Sequence, residues 1–433
     1  MGQYNCYSFV NRRGKRDGSF KKGFAILAAS FLAIGLAACS SSKNPASSDG
    51  KKVLTVSVEE TYKEYIESIK TKFEKENDVT VKIVEKQMFE QLEALPLDGP
   101  AGNAPDVMLA AYDRIGGLGQ QGHLLDIKPS HTKSFGDKEM QQVTVDGKVY
   151  GMPLVIETLI LYYNKDLLKT APKTFKDLEK LTEDPRFAFA SEKGKSTGFL
   201  AKWTDFYMSY GLLAGYGGYV FGKNGTDSGD IGLNNKGAVE AVKYAEKWFE
   251  TYWPKGMQDN SSADDFIQQM FLEGKAAAII GGPWSAANYK EAKLNYGAAP
   301  IPTLPNGEEY APFAGGKGWV ASKYTKEPEL AEKWLEYAAN DANAYAFYED
   351  TNEVPANTAA RKKADEQKNE LTSAVIKQYE TATPTPNIPE MAEVWTGAES
   401  LIFDAASGKK STQTSANDAV NVIKENIKEK YVK

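Results

Sequence analysis

Tyr112-Asp113-Arg114 stands directly behind an apolar run, DVMLA at 106–110. A carboxylate beside a guanidinium puts an acceptor and a fork of donors in one short segment, which suits hydroxyl groups held by charge-assisted hydrogen bonds. Two more carboxylates stand in similar company. Glu157 lies inside LVIETLILYY (154–163), and Asp205 lies in WTDFYMSY (203–210) with Tyr207 and Tyr210. Trp284 follows Gly281-Gly282-Pro283, and Trp395 follows the proline-rich TPTPNIPEM (383–391). A pyranose ring packs its C–H face on an aromatic ring and needs donors and acceptors around its rim, so the joint pattern points to a sugar. Asp113, Glu157, Asp205 and Glu399 would also serve a glycoside hydrolase if two of them flanked one bond about 5–9.5 Å apart.

Other chemistries fit poorly. His123 and His131 are the only histidines, so neither a multi-histidine metal site nor any other metal site is expected. Gly194-Lys195-Ser196 lacks the leading glycine of a phosphate-binding loop, because position 189 is Phe189. Gly316, Gly318 and Ala321 precede a strand-like run instead of joining strand to helix, so they make no dinucleotide site. There is no Gly-x-Ser-x-Gly elbow, and no cofactor is implied.

The elements that must position these residues follow from periodicity. VLTVSV (53–58), VTVKIV (79–84) and DVMLA (106–110) read as strands, and 62–76 and 86–95 as helices between them. Tyr62, Tyr65, Ile66, Ile69 and Phe73 fall on one face of the first helix. This alternation predicts an open parallel α/β sheet, whose ligands bind beyond the C-terminal ends of the strands, where Asp113 and Arg114 fall. QVTV-DG-KVYGMP (142–153) predicts a hairpin turning at Asp146-Gly147. LVIETLILYY is long enough to cross from one unit to another, and PFAGGKGWVAS (312–322) to return. Helices are expected over 234–252, 263–273, 327–339, 370–380 and 391–406, and strands at AAAII (276–280) and YGAAPI (296–301). Trp248, Trp253 and Trp334 read as core.

The N-terminus carries an export signal. Arg12, Arg13, Lys15, Arg16, Lys21 and Lys22 precede an apolar run from Phe24 to Ala38, shorter than the ~20 residues a membrane span requires. Leu36-Ala37-Ala38-Cys39 resembles the lipobox of bacterial lipoproteins, which implies removal of residues 1–38 and a diacylglyceryl group on Cys39. Residues 39–52, polar and Pro/Gly-containing, would form a flexible tether. The whole chain of 433 residues has a net charge of −6, and the signal holds six basic residues against one acid, so the remainder is more acidic still. That surface disfavours nucleic acid and anionic lipid as partners. Cys6 leaves with the signal and Cys39 is used, so stability rests on core burial without disulfides.

PDVMLAAYDRIGGLGQQGHLLDI (105–127), PLVIETLILYYNKDLL (153–168), GKAAAIIGGPWS (274–285), NYGAAPIPTLP (295–305) and TPNIPEMAEVW (385–395) together resemble the extracellular maltose/maltodextrin-binding lipoproteins of ABC importers, over about 53–407. The resemblance implies an α/β, two-lobed periplasmic-binding-protein-like fold of type II, each lobe an open sheet flanked by helices. It implies a first lobe of 53–156 plus 319–368 and a second of 160–313 plus 372–433, hinged near 155–159 and 314–319. It also implies a monomeric receptor, not an enzyme, lipid-anchored outside the cell membrane, with maltodextrins, permease subunits and their ATPase as partners. Carried over by position, Asp113, Arg114 and Glu157 would bind hydroxyls from the first lobe, and Asp205, Tyr207, Tyr210, Trp284 and Trp395 would act from the second. The chain departs from the family pattern in three places. Ala110 stands where a Trp is common, so Tyr112 is expected to supply that surface. Glu59-Glu60-Thr61 replaces an Asp-Lys pair, leaving Glu60 as the contact there, and Glu399 replaces an Arg. Lys317, amid glycines, is a further expected contact.

Overall fold

The computed structural model describes residues 51–431. The expected signal (1–38), Cys39 and nearly all of the tether lie outside the described residues. Lys52 is already paired in a sheet, so the ordered fold begins inside the segment expected to be tether.

Twelve strands occur among the described residues. They are β1 (Lys52–Val58), β2 (Val79–Glu85), β3 (Val107–Ala111), β4 (Thr144–Val145), β5 (Lys148–Val149), β6 (Gly151–Glu157), β7 (Ile160–Asn164), β8 (Phe199–Leu200), β9 (Ala278–Gly281), β10 (Tyr296–Ala299), β11 (Phe313–Ala321) and β12 (Thr383–Pro384). In the first sheet β2, β1 and β3 are parallel, as strand–helix alternation requires, and β11 lies antiparallel between β3 and β6. The helix Lys63–Asn77 buries Tyr65, Ile66, Ile69 and Phe73, the expected apolar face, and ends where Asp78 turns left-handed (φ 50°). The second sheet runs β10-β7-β9-β8, with β7 antiparallel to both neighbours. β4 and β5 form the predicted hairpin. Asp146 (φ 52°) and Gly147 (φ 73°) supply the two positive φ values that a two-residue turn matching strand twist needs.

The apolar run 154–163 is not one strand. β6 ends in the first sheet at Glu157 and β7 begins in the second at Ile160, so Thr158 and Leu159 are the whole connection. Thr158 Oγ1 donates to the carbonyl of Phe313, where β11 starts, and β12 pairs with Phe313 and Ala314. Three passages of the chain therefore meet at one point between the sheets. β11 pairs with β6 from Gly315 onward, four residues before the lobe boundary expected at 319. The helix predicted over 391–406 is two helices, Met391–Gly397 and Leu401–Ala406, both packed on the long helix Thr412–Tyr431. That over 234–252 is α-helical to Lys247 and finishes in one wider π turn, 248–252.

The candidate sugar-binding cleft

The glycine cluster of β11 makes room for a neighbour. A Cβ on Gly316 would stand 2.1 Å from the carbonyl oxygen of Val155 and 2.6 Å from the Tyr112 ring, and its φ of +142° is itself unfavourable to other residues. Tyr112 is only 1% exposed, and its hydroxyl donates to that same Val155 carbonyl at 2.9 Å. It braces β3 against β6 under the glycines and presents no face for stacking, which corrects the expectation that it replaces the aromatic missing at Ala110.

Asp113 and Arg114 open the helix Tyr112–Gln120 just past β3. Arg114 Nε lies 3.5 Å from Asp113 Oδ2. Burial raises the Asp113 carboxyl above its ordinary range, opposed by the Arg114 charge and by the nearby Trp395 indole. Asp113, just past β3, and Trp395, on the helix Met391–Gly397, are thus neighbours. The guanidinium carbon of Arg114 is 6.0 Å from the ring centre of Phe89.

From Trp395, beside this pair, the aromatic residues continue as a wall. Tyr207 lies between Trp284 and Trp395, with each ring centre 6.3 Å from its own. Trp284 sits on the 3-10 turn Pro283–Ser285 and is 39% exposed. Its indole lies over Gly282, where a Cβ would meet the ring at 2.1 Å, so the glycine before the proline permits this seating. Phe313 backs the wall, 6.0 Å from Tyr207 and 5.6 Å from Trp395. Tyr210 is 2% exposed beneath Phe313, and burial pushes its phenol up to about 12. It belongs to the support of the wall and not to its surface, a second correction. Asp205 caps the helix Phe206–Gly215 by accepting the Met208 N–H at 3.2 Å, and Lys202 stands 3.9 Å from its other oxygen. The cap fixes where the helix starts and hence where Tyr207 points.

Glu157 ends β6 with its carboxylate 3.1 Å from Lys317 Nζ. Glu353 and the Tyr62 hydroxyl also approach this ammonium, at 2.7 and 2.6 Å. Two hydrogen bonds, to Tyr62 and Glu353, and the ion pair with Glu157 engage this ammonium, so Lys317 is an internal tie and not the sugar contact expected of it. Burial alone would depress its pKa, but Glu157 and Glu353 outweigh that and hold it well above the ordinary value. Burial raises Glu157, while Lys317 opposes the shift. Glu60 lies exposed in the turn Glu60–Tyr62, and it is Tyr62 of that turn that reaches the cluster. The residues that sequence reasoning missed are Tyr62, Glu353 and Phe313. None of the three left a signal, because the partners that bring them to the site lie far away in the chain. Among the described residues no group of three or more His, Cys, Asp or Glu is placed to hold a metal ion, and no helix is long and apolar enough to cross a membrane.

The family model of bacterial extracellular solute-binding proteins matches residues 55–345. A maltooligosaccharide ABC transporter solute-binding lipoprotein of Streptococcus pneumoniae serotype 4 is 50% identical over 418 residues, covering 95% of this chain and 99% of the relative. A galactooligosaccharide-binding protein of Bacillus subtilis is 37% identical over 425 residues, covering 95% and 98%. Among solved structures, the maltose-binding periplasmic protein of Listeria monocytogenes in complex with maltose is similar, with a TM-score of 0.86 and 67% identity over 88% of this chain and all of that one.

Proposed function

The chain belongs to the family of bacterial extracellular solute-binding proteins and has its two-lobed type II fold, and we propose that it captures α-1,4-linked glucose oligomers outside the cell and delivers them to an ABC importer. The observation that carries this reading is the Trp284–Tyr207–Trp395 wall, which meets the Asp113–Arg114 pair at Trp395. Trp284 and Trp395 would stack on the C–H faces of glucose rings. Asp113, Arg114 and Glu157 would take hydroxyls from the first lobe, and Asp205 and Tyr207 from the second. Sugar touching both sides favours a closed state, and the short Thr158-Leu159 link and the start of β11 are where closure would bend the backbone. We take the lobes as 53–156 plus 315–368 and 160–313 plus 372–433, the one change from the sequence expectation following the β11 register.

The name of the streptococcal relative supports a lipid anchor, which would sit on Cys39 and hold a monomeric receptor at the outer face of the membrane beside the permease and its ATPase. Each of the three deeper carboxylates has a cation beside it: Arg114 at Asp113, Lys317 at Glu157 and Lys202 at Asp205. Carboxylates held beside cations are suited to accept hydroxyl hydrogen bonds, so the reading is a receptor without hydrolytic activity. Titration calorimetry with maltotriose tests the main claim, with tight, saturable heat expected. Absence of heat and of any change in tryptophan fluorescence across maltodextrins would falsify it. The galactooligosaccharide-binding relative favours one second reading, a receptor for another oligosaccharide. Saturable heat with galactooligosaccharides and none with maltotriose would select it. New reducing ends on incubation with maltodextrin would instead reveal a hydrolase.

A further inference from the structure

Phe89 is 40% exposed in the first turn of the helix Met88–Asp98, while Met88, Gln91, Leu92 and Leu95 on the inner face are buried. Its position is fixed. The Gln87 side chain caps the Glu90 N–H at 3.1 Å, and Glu59 accepts the Met88 N–H at 3.1 Å. A single exposed aromatic residue is ordinary on a protein surface. This one is joined to the cleft, because Arg114 lies over its ring at 6.0 Å and the same guanidinium touches Asp113. A cation over the ring draws on its π face and steadies the guanidinium, leaving the remainder of the ring open beside a donor fork. Of the residues nearest it in the sequence pattern, Ala110 is aliphatic and buried and Tyr112 is buried, whereas the Phe89 ring is open to solvent.

We propose that Phe89 and Arg114 form an additional glucosyl subsite on the first lobe, reached only by longer chains; this rests on the maltooligosaccharide reading above. The chemistry matches that of the aromatic wall. A flat ring takes the C–H face of a terminal glucose, and the guanidinium takes its hydroxyls. Ligand length, and not only sugar identity, is then read by the first lobe.

The test is calorimetry of the full chain with maltose, maltotriose, maltotetraose and maltopentaose, for the parent protein, Phe89→Ala, Phe89→Trp and Trp284→Ala. The parent affinity is expected to rise with length. Phe89→Ala should remove the last increment, about tenfold, which is about 1.4 kcal/mol, and leave maltose within about twofold, with Phe89→Trp restoring the increment. Parallel affinities of parent and Phe89→Ala at every length, or an equal loss at every length, would overturn the subsite. If Trp284→Ala weakens binding while Phe89→Ala does not, this inference alone fails. If the parent binds no glucan at all, the underlying reading fails and the subsite with it.

Discussion

The ring of Tyr210 lies flat on that of Phe313, with centres 3.8 Å apart and planes 4° from parallel. Phe313 in turn contacts Tyr207 and Trp395, so the buried Tyr210 sets the back of the aromatic wall from beneath. Replacing Tyr210 by Leu leaves a void under Phe313 and should cost about 2–3 kcal/mol of stability. It should also weaken maltotriose binding, although Tyr210 offers it no surface. Tyr210→Phe keeps the stack and should bind sugar normally, as judged by denaturant titration and calorimetry on the same samples.

Trp284 and Trp395 should separate in their effects. Trp284 is largely free of the core, so Trp284→Ala should lower affinity by roughly tenfold with almost no change in unfolding midpoint. Trp395 also packs edge-on against Phe206 and Phe313, and Trp395→Ala should lose about 1–2 kcal/mol of stability besides its effect on affinity. Equal affinity for sugar in both variants and the parent would remove the wall from the site.

Asp205 has two tasks that substitution can divide. Asn is as good a helix cap as Asp, so Asp205→Asn should preserve stability while replacing a charged acceptor by a weaker neutral one. A several-fold loss of affinity without a shift in melting temperature is the expected outcome. Asp205→Ala should lose about 1 kcal/mol of stability as well.

Lys317 should control how binding responds to acid. The raised pKa of Glu157 means that its ionised, hydroxyl-accepting form is lost on acidification earlier than at an exposed glutamate. Sugar affinity should therefore fall on acidification sooner than contacts to ordinary, exposed carboxylates would, with Asp113 contributing in the same direction. Removing the cation in Lys317→Met lets Glu157 rise further, so the fall should begin at higher pH. Lys317→Arg should restore the parent profile. For stability the sign is opposite to that for binding: a carboxyl raised in the native state contributes at low pH and loses that contribution as pH rises through its folded value. Lys317 is also raised, so its own contribution persists below about pH 10. Its loss in Lys317→Met should cost about 2–3 kcal/mol near neutrality, because two half-buried carboxylates lose their counter-charge.

Local pattern was enough for the first three strands, the helix after Glu60 and the Asp146-Gly147 turn, where alternation, one apolar face and two positive φ values are properties of neighbouring residues. The break between β6 and β7 was not visible, because both halves are apolar and only the ladder partner changes, from β11 to β9 and β10. Tyr112, Tyr207 and Tyr210 look alike in sequence. Which of them faces solvent is decided by Gly316 and Phe313, distant in the chain. Lys317 was misread for the same reason: its partners Glu353 and Tyr62 lie 36 and 255 positions away.

The place of β11 between β3 and β6 has a consequence for biogenesis. Until Ala321 has left the ribosome, the strands on either side of it have nothing to join them, and the half of the molecule made first stays unfinished. For most of the time the message is being read the chain is thus loose polypeptide, the state in which a chaperone or a transport channel would meet it.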